Sequence, residues 1–464
     1  MKGAVAGHVN LLKTMLGSGI LSFPYLFSTY GVLPSLCLSL VCAFFSTIGL
    51  YIFAVCSQKV GRSCNMSLLA TECAPYMRIF IDIAVFIKCM GAATSYLIIV
   101  RQLLPQILLR ITTGLYDSRI LLLAFVLCFS PLSYLNKLSK LSYTSFCGLL
   151  GILLIILASV FRCKYMSPNA ESRSSMLMPY SAGWQRGLGK FVFAFTCHMN
   201  FFTVYNEMED NSVRTMRALV VRVVLIALVS YMVFGYFNSA LYGTAVHDNV
   251  LENYPNDNLA LFVRSVYVVV MAFSYPLQVN PCRLYLMSAL YIAETKKGTQ
   301  QACSVVMTTL IVAVTTYIAC GNMNLGTVYT IVGSTSSTLM CLILPGIFYL
   351  NIDMEKSTLL MLFSYIAFLF GTLVFSVSML ESVATPTLTA PLAFVTSISK
   401  YSLPKETPCV DSAVRYPKHP VAARPSPNKT MSSDFLVLES LGFMAPRFVC
   451  GWANATRDVA LLMG

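Results

Sequence analysis

The amino-acid sequence predicts an all-α integral membrane protein that crosses a bilayer about eleven times. Of its 464 residues, 57% are hydrophobic and only 11% are charged, whereas about a quarter of the residues of a soluble domain are charged. Apolar runs close to the ~20 residues that cross hydrocarbon as a helix recur along the chain, for example at 32–56 and 223–242. A water-soluble fold could not cover itself with so few charges, so these runs are interpreted as spanning helices.

The spans are bounded by charged residues or by breaks rich in Pro, Gly and Asn. They are predicted at residues 6–30, 33–56, 77–104, 118–135, 144–162, 189–205, 218–243, 259–281, 302–320, 325–350 and 357–380. The first run is interpreted as a mature helix and not as a signal peptide, because Lys2 is its only basic n-region residue and Lys13 lies inside it. Residues 1–384 therefore form the membrane domain, and the polar residues 385–464 are expected to be a disordered tail.

The distribution of charge predicts the orientation in the membrane. The net charge of +13 comes from Lys and Arg scattered through loops and helix ends, with no basic block that would suit nucleic acid. Loops on the side of the N-terminus hold residues such as Lys59 and Arg62, while the opposite turn at 320–325 holds none. The positive-inside rule therefore predicts a cytosolic N-terminus and a lumenal or extracellular C-terminus. Arg110 and the basic residues of the loop 163–188 count against this orientation.

The sequence has none of the motifs that catalysis or metal binding would require. Its sixteen cysteines lie mostly in apolar runs, with no CxxC pair and no His/Cys spacing typical of metal ligands. It contains no GxSxG, HExxH, P-loop or dinucleotide-binding motif. We therefore expect no enzyme activity and no cofactor.

The first predicted helix is interrupted near its middle. It contains Gly17, Ser18 and Gly19, followed by Pro24. Glycine costs about 1 kcal/mol and proline about 3 kcal/mol in a helix interior, and unwound backbone at membrane depth persists only where it is buried or lines a cavity. Free amides at residues 17–19 would suit a carboxylate. The alternative is a close helix contact of the small-residue type.

The sixth predicted helix has polar groups inside an apolar span, at His198 and Asn200. Such groups usually face the bundle interior or a water path. Exposed carbonyls of Phe195, Thr196 and Cys197 could accept an ammonium group. His198 is either a proton carrier or a core or gate residue.

Helices one and six open two halves of five helices each, at about 6–162 and 189–350, with an eleventh helix at 357–380. Discontinuous helices in corresponding positions of two halves indicate a transporter built from inverted repeats, with its substrate bound between them.

Six motifs in order resemble the amino acid/auxin permease family, which belongs to the amino acid, polyamine and organocation superfamily and has the leucine-transporter fold. The motifs are NLLKTMLGSGILSFPY at 10–25, GAATSYLIIVRQLLP at 91–105, PLSYLNKLSKLSYTS at 131–145, FAFTCHMNFFTVYNEM at 193–208, YPLQVNPCR at 275–283 and IVGSTSSTLMCLILPGIFYL at 331–350. The resemblance implies a 5+5 inverted repeat plus one extra helix.

The resemblance also implies where an amino acid substrate binds. Its carboxylate would lie at the first break, near Leu16, Gly17, Ser18 and Gly19. Its amine would lie at the second, near Phe195, Thr196 and Cys197. Tyr96 and Asn200 are pocket or gate residues in this interpretation, or else packing residues.

The resemblance suggests which ion drives transport. Sodium-coupled members have Asn at the position of Lys13 and Thr or Ser at the position of Ser274. A lysine ammonium would repel sodium at this site. Lys13 is either a buried base that couples transport to protons or a side chain that reaches the cytosolic interface.

These features predict sodium-independent, proton-linked amino acid transport by alternating access, in a vacuolar, lysosomal or plasma membrane. The expected partners are an amino acid, a proton and the lipid bilayer, with the oligomeric state left open. The alternative is an amino acid sensor that signals through a protein partner.

Overall fold

The computed structural model describes residues 4–112, 114, 116–134, 142–165, 185–292, 297–321 and 323–384, and regular structure within these ranges is helical. The predicted tail at 385–464 lies outside the described residues. We number the α-helices in chain order. They are α1 (Ala4–Leu16), α2 (Phe23–Tyr30), α3 (Val32–Val60), α4 (Met66–Cys73), α5 (Arg78–Thr112), α6 (Ser118–Phe129), α7 (Ser142–Tyr165), α8 (Gln185–Ala194), α9 (His198–Glu207), α10 (Val213–Tyr242), α11 (Asn258–Ala289), α12 (Lys297–Cys320), α13 (Leu325–Val332), α14 (Leu344–Asn351) and α15 (Thr358–Ala384).

The all-α membrane fold predicted from the sequence is confirmed. Within the described part of the chain, eight helical segments are long and apolar enough to cross a bilayer. The first and sixth predicted spans are each divided between two shorter helices, α1 with α2 and α8 with α9. The fourth span is the shorter apolar segment Ser118–Tyr134. The total of eleven crossings stays a prediction.

Large apolar side chains on the outside of the bundle indicate where lipid lies. Leu127 is 76% exposed, Leu373 58% and Leu225 55%. These side chains come from α6, α15 and α10, so the apolar surface extends around the bundle. Such a surface would be unfavourable in water and is stable against hydrocarbon.

The last predicted span before α15 is distorted in its middle. Between α13 and α14 the backbone forms two π-helical segments, Gly333–Ser337 and Leu339–Ile343. Gly333 lies directly against the backbone of Gly189 in α8, where an added Cβ would collide with the Gly189 carbonyl. This close approach requires glycine and brings α8 against the distorted segment.

The two ends of the bundle are held by different contacts. At the end that we call the N-side, Gly7 of α1 lies against Val204 of α9, and Asn206 donates to the Cys64 carbonyl over 2.8 Å. At the opposite end, the far side, Arg162 of α7 makes two 3.0 Å hydrogen bonds to the Asp257 carboxylate.

Asp257 also accepts a hydrogen bond from the Ala260 N–H at the start of α11. Partial burial raises the pKa of the Asp257 carboxyl, but the hydrogen bonds and the Arg162 charge outweigh burial and hold it below its usual range. The carboxylate therefore stays charged and ties α7 to α11.

Candidate functional site

The first helix break lies where the sequence predicts it. The α1 helix ends at Leu16, Gly17 leaves the helical region of backbone angles with φ −23° and ψ −128°, and Ser18–Ser22 continues as a 3₁₀ helix. The α2 helix then starts with Pro24 in its first turn, a position that needs no backbone N–H. The first amides of a helix have no acceptor within it. Ser18 and Gly19 supply the first amides of this 3₁₀ helix, and both residues are buried.

The second break separates α8 from α9 at residues 195–197. Thr196 Oγ1 donates to the Val192 carbonyl over 2.6 Å, which closes the end of α8. Ser46 Oγ of α3 donates to the Phe195 carbonyl over 2.7 Å. One of the carbonyls expected to accept a substrate amine thus already has a protein donor on one lone pair.

The two breaks lie against each other. A Cβ added to Gly19 would be 3.1 Å from Ala194 Cα, so the backbones are in contact at this point. Asn200 Nδ2 donates to Thr14 Oγ1 over 2.8 Å and joins α9 to α1. Asn200 therefore bridges the two interrupted helices in this structure.

Three buried tyrosines that the sequence analysis did not identify supply donors to the interrupted backbone. The hydroxyl of Tyr231 lies 2.5 Å from the Met15 carbonyl and 2.8 Å from that of Ala194, so it links both breaks. Tyr267 donates to the Gly17 carbonyl over 3.1 Å, and Tyr329 donates to that of Ser18 over 2.8 Å. Buried carbonyls that lose their helical partner need such donors.

A small cavity lies beside the two breaks. It holds about 10 Å³, which is room for about one water molecule. Of the predicted site residues, it is lined by Ser18, Gly19, Tyr96 and Thr196. Leu16, Gly17, Phe195, Cys197 and Asn200 belong to the surrounding backbone and contacts and do not line it.

Lys88 of α5 also lines the cavity and was missed by the sequence analysis. The residue is 2% exposed. Its ammonium nitrogen lies 3.4 Å from the centroid of the Phe193 ring and 3.5 Å from the Phe193 carbonyl oxygen. Gln278 of α11 lies beside it in the lining and donates to the Tyr96 hydroxyl over 3.4 Å. The cavity thus contains a cation and a side-chain amide.

Lys13 is buried, as the interpretation of this residue as a buried base requires. It is 4% exposed, and its ammonium group has no hydrogen-bond partner among the described residues. Its side chain passes Gly148 of α7, where an added Cβ would be 2.5 Å from Lys13 Cε. Ser274, the other predicted ion-site residue, donates to the Val270 carbonyl of its own helix over 2.6 Å.

His198 lies at the start of α9 and is fully buried. Neither ring nitrogen has a hydrogen-bond partner in the described part of the chain. The ring packs edge-on against Phe53 at 5.6 Å, and it lies outside the lining of the central cavity. The choice between a proton carrier and a core or gate residue stays open.

A second cavity, of about 510 Å³, lies on the N-side among residues such as Cys64, Asn206 and Tyr285. Met199 of α9 lines both this cavity and the central one, so the two cavities adjoin the same residue. A larger apolar cavity of about 750 Å³ lies elsewhere, among α5, α12 and α13, and contacts neither break. Across the described ranges, no group of His, Cys, Asp and Glu could hold a metal ion.

Comparison with known proteins extends these observations. Residues 2–402 match the family model described as transmembrane amino acid transporter protein. Vacuolar amino acid transporter 5 of Schizosaccharomyces pombe is 30% identical, over 75% of this chain and 84% of that protein. Vacuolar amino acid transporter 6 of Saccharomyces cerevisiae is 27% identical, over 76% and 91% respectively. Sodium-coupled neutral amino acid transporter 7 of Rattus norvegicus is 25% identical, over 73% and 76%.

The family match covers most of the chain, including both interrupted helices and the cavity between them. The resemblance predicted from the six motifs is therefore confirmed. The family and these relatives are named as transporters, not as enzymes, as the sequence analysis predicts for this chain. The chain belongs to the transmembrane amino acid transporter family and is not an enzyme.

Proposed function

We propose that the protein is a secondary transporter that moves amino acids across a membrane by alternating access, with the substrate bound between the two helix breaks. The observation that carries this proposal is the contact between two interrupted helices beside a small central cavity. Unwound backbone in a membrane protein is stable only when it is buried or lines a cavity, and substrate sites of transporters are built from it.

The groups around the cavity complement both ends of an amino acid. The free amides of Ser18 and Gly19 would bind the carboxylate, since the first amides of a helix carry partial positive charge. The backbone at Thr196 would bind the ammonium group. This recognition is shared by all amino acids and leaves selection to the side chains of α5, α9 and α11.

The contacts at the two ends support alternating access. On the far side, the buried ammonium of Lys190 pairs with Asp248 and lies 4.0 Å from the centroid of the Tyr25 ring. On the N-side, the 510 Å³ cavity shares Met199 with the central one. These contacts support an interpretation in which the far side is closed and movement of Met199 would join the central site to the N-side.

The burial of Lys13 supports coupling to protons and not to sodium. An ammonium group at the junction of α1 and α7 would repel a sodium ion there. A lysine amine can also bind and release a proton during the transport cycle. The names of two relatives suggest a vacuolar membrane, and the positive-inside rule favours a cytosolic N-terminus.

Uptake into proteoliposomes tests the proposal. The purified full-length chain is reconstituted and supplied with a mixture of labelled amino acids, while sodium and pH gradients are varied independently. We expect saturable uptake driven by a pH gradient and unchanged by sodium. The absence of saturable movement for every amino acid would refute transport, and sodium-driven uptake as strong as pH-driven uptake would refute the assignment of the ion.

A further inference from the structure

We propose that Lys88 recognises the side-chain carboxylate of the substrate, so that the protein selects acidic amino acids over neutral and cationic ones. This inference rests on the proposed transport function and specifies its substrate class. It follows from the position of one buried lysine and from the absence of an ion pair between it and any described carboxylate.

The ammonium group of Lys88 lies at the central cavity and has weak partners. It contacts the face of the Phe193 ring at 3.4 Å, and its distance of 3.5 Å to the Phe193 carbonyl is long for a hydrogen bond. A ring face and one distant carbonyl do not replace the hydration of an ammonium group that is 2% exposed. The Lys88 ammonium group therefore lacks a strong hydrogen-bond acceptor. A carboxylate of the substrate could supply one.

No Asp or Glu is found among the described residues that line the cavity. The nearest acidic residue along α5 is Asp82, about 9 Å away by the helical rise of ~1.5 Å per residue. One of its oxygens already accepts hydrogen bonds from Ser67, over 2.9 Å, and Ser288, over 2.7 Å. These contacts place Asp82 between α4 and the end of α11, where its other oxygen has no hydrogen-bond partner among the described residues.

The other titratable groups near the centre do not supply negative charge. Lys13 is a second buried cation, and His198 is a base. A lysine or arginine substrate would add a further positive charge to this region, where low dielectric strengthens repulsion. An aspartate or glutamate substrate carries one net negative charge and would neutralise Lys88.

Lys88 and the first helix break lie at different levels along α5. Lys88 and Tyr96 both line the cavity and are about 12 Å apart along the helix axis at ~1.5 Å per residue. Ser18 lies at the Tyr96 level of α5, with its Oγ 3.0 Å from Ser95 Oγ. The α-carboxylate at the first break and the side-chain carboxylate at Lys88 would therefore contact different parts of α5, and the cavity of about 10 Å³ would have to widen to admit the substrate.

Transport by the wild type and by Lys88→Met tests this assignment. Methionine keeps an unbranched apolar side chain of similar length and removes the charge. Proteoliposomes receive labelled L-glutamate, L-aspartate, L-leucine or L-lysine at equal concentration. We expect the wild type to take up the two acidic amino acids at least tenfold faster than leucine and lysine. Lys88→Met is expected to lower glutamate uptake at least tenfold relative to leucine uptake.

Two controls separate charge recognition from damage to the fold. Lys59→Met makes the same substitution at an exposed position near the end of α3 and should leave selectivity unchanged. The thermal unfolding midpoint of the wild type in detergent is also measured with aspartate, leucine or lysine, since a ligand that binds the folded state raises it. Aspartate should raise the midpoint and lysine should not, a result that does not depend on the folding of any variant.

Three outcomes would count against the proposals, and they are distinguishable. Leucine or lysine uptake in the wild type that exceeds uptake of both acidic amino acids would overturn the selectivity. Equal loss of glutamate and leucine uptake in Lys88→Met would show that Lys88 binds the α-carboxylate or supports the fold, and would overturn its role. Failure of all four amino acids to move or to raise the midpoint would refute the transport function on which the inference rests.

Discussion

Three lysine side chains in the membrane domain are almost completely buried. Lys13, Lys88 and Lys190 are each at most 4% exposed. Burial of an ammonium group is unfavourable unless the group is paired. Unpaired ionisable residues inside a membrane protein therefore usually mark functional sites. Lys190 is paired with Asp248, whereas no ion pair with a described residue is found for Lys13 or Lys88. The two unpaired lysines are the residues to which we assign the proton and the substrate.

A Lys13→Gln variant tests the role of Lys13 in coupling. Glutamine is polar and of similar size but cannot carry a proton. We expect uptake driven by a pH gradient to fall at least tenfold, while exchange of labelled for unlabelled substrate without a gradient continues. The exposed Lys59→Gln is the matched control. Retention of full pH-driven uptake in Lys13→Gln would assign the proton to another group.

Asp257 gives a prediction about stability and pH. Its folded-state pKa lies below the ordinary value of 3.8, so its contribution is present above pH ~4 and is lost only as the pH falls through the lower folded value. The unfolding midpoints of the wild type and Asp257→Asn, measured in detergent, should therefore differ by a constant amount from pH 8 to pH 5. A difference that shrinks within this range would contradict the lowered pKa.

At the scale of elements, the two helix breaks are stable because other helices supply what their backbone lacks. Tyrosines from α10, α11 and α13 reach carbonyls at or beside the breaks. Tyr231 lies at both of them and stacks on Phe23 with ring centroids 4.2 Å apart. The α10 helix therefore holds the first and second breaks in register.

Removal of the Tyr231 hydroxyl should loosen this contact. Tyr231→Phe leaves the ring in place but takes the donor from the Met15 and Ala194 carbonyls, which costs about 1–3 kcal/mol for a buried acceptor left unsatisfied. We expect a lower unfolding midpoint and slower uptake. Tyr236→Phe, on the same helix but 46% exposed, is the control. An equal effect of both variants would show that the hydroxyl of Tyr231 has no special role.

At the scale of the whole molecule, the two ends of the bundle differ. On the far side, ion pairs join α7 and α8 to residues at 243–257, and the N-side has a cavity that shares Met199 with the central one. An alternating-access cycle would have to break the far-side contacts when that side opens. In such a cycle, the strength of the ion pair between Lys190 and Asp248 would influence how often the far side opens.

Asp248→Asn tests this role of the far-side pair. Loss of the carboxylate leaves the buried Lys190 without its counter-charge, and the uncompensated charge favours opening. Hydrogen exchange measured by mass spectrometry should become several-fold faster at Val250–Glu252. Asp353→Asn, an exposed carboxylate with no ion pair among the described residues, should have no effect. Unchanged exchange in Asp248→Asn would show that the pair does not hold the far side closed.

Much of the fold could be predicted because its causes are local. The predicted spans end within a few residues of the observed helices in most cases, since apolar runs and their polar boundaries are read directly from the sequence. Both breaks were predicted from Gly17, Gly19 and the polar residues after Cys197. The contact between Gly19 and Ala194, by contrast, joins residues far apart in the chain.

The residues that line the central cavity were predicted only in part. Ser18, Gly19, Tyr96 and Thr196 line the cavity, while Lys88 and Gln278 were missed. Lys88 is a charged residue inside an apolar span, the same sequence feature that indicates a functional role for Lys13. Its direction could not have been known, because a helix that is apolar on most sides gives no periodic pattern to show which face is inward.

The sequence by itself determined that this chain is a membrane protein with two interrupted helices. Apolar runs are stable in a bilayer as spanning helices, and glycine and proline are unfavourable inside a helix wherever it lies in the fold. Only the tertiary structure decided which groups meet at the breaks. It placed Lys88 at the cavity, Lys13 against Gly148 and three tyrosines on the backbone carbonyls. These contacts depend on how each helix is rotated against its neighbours, and that rotation is set by packing across the whole bundle.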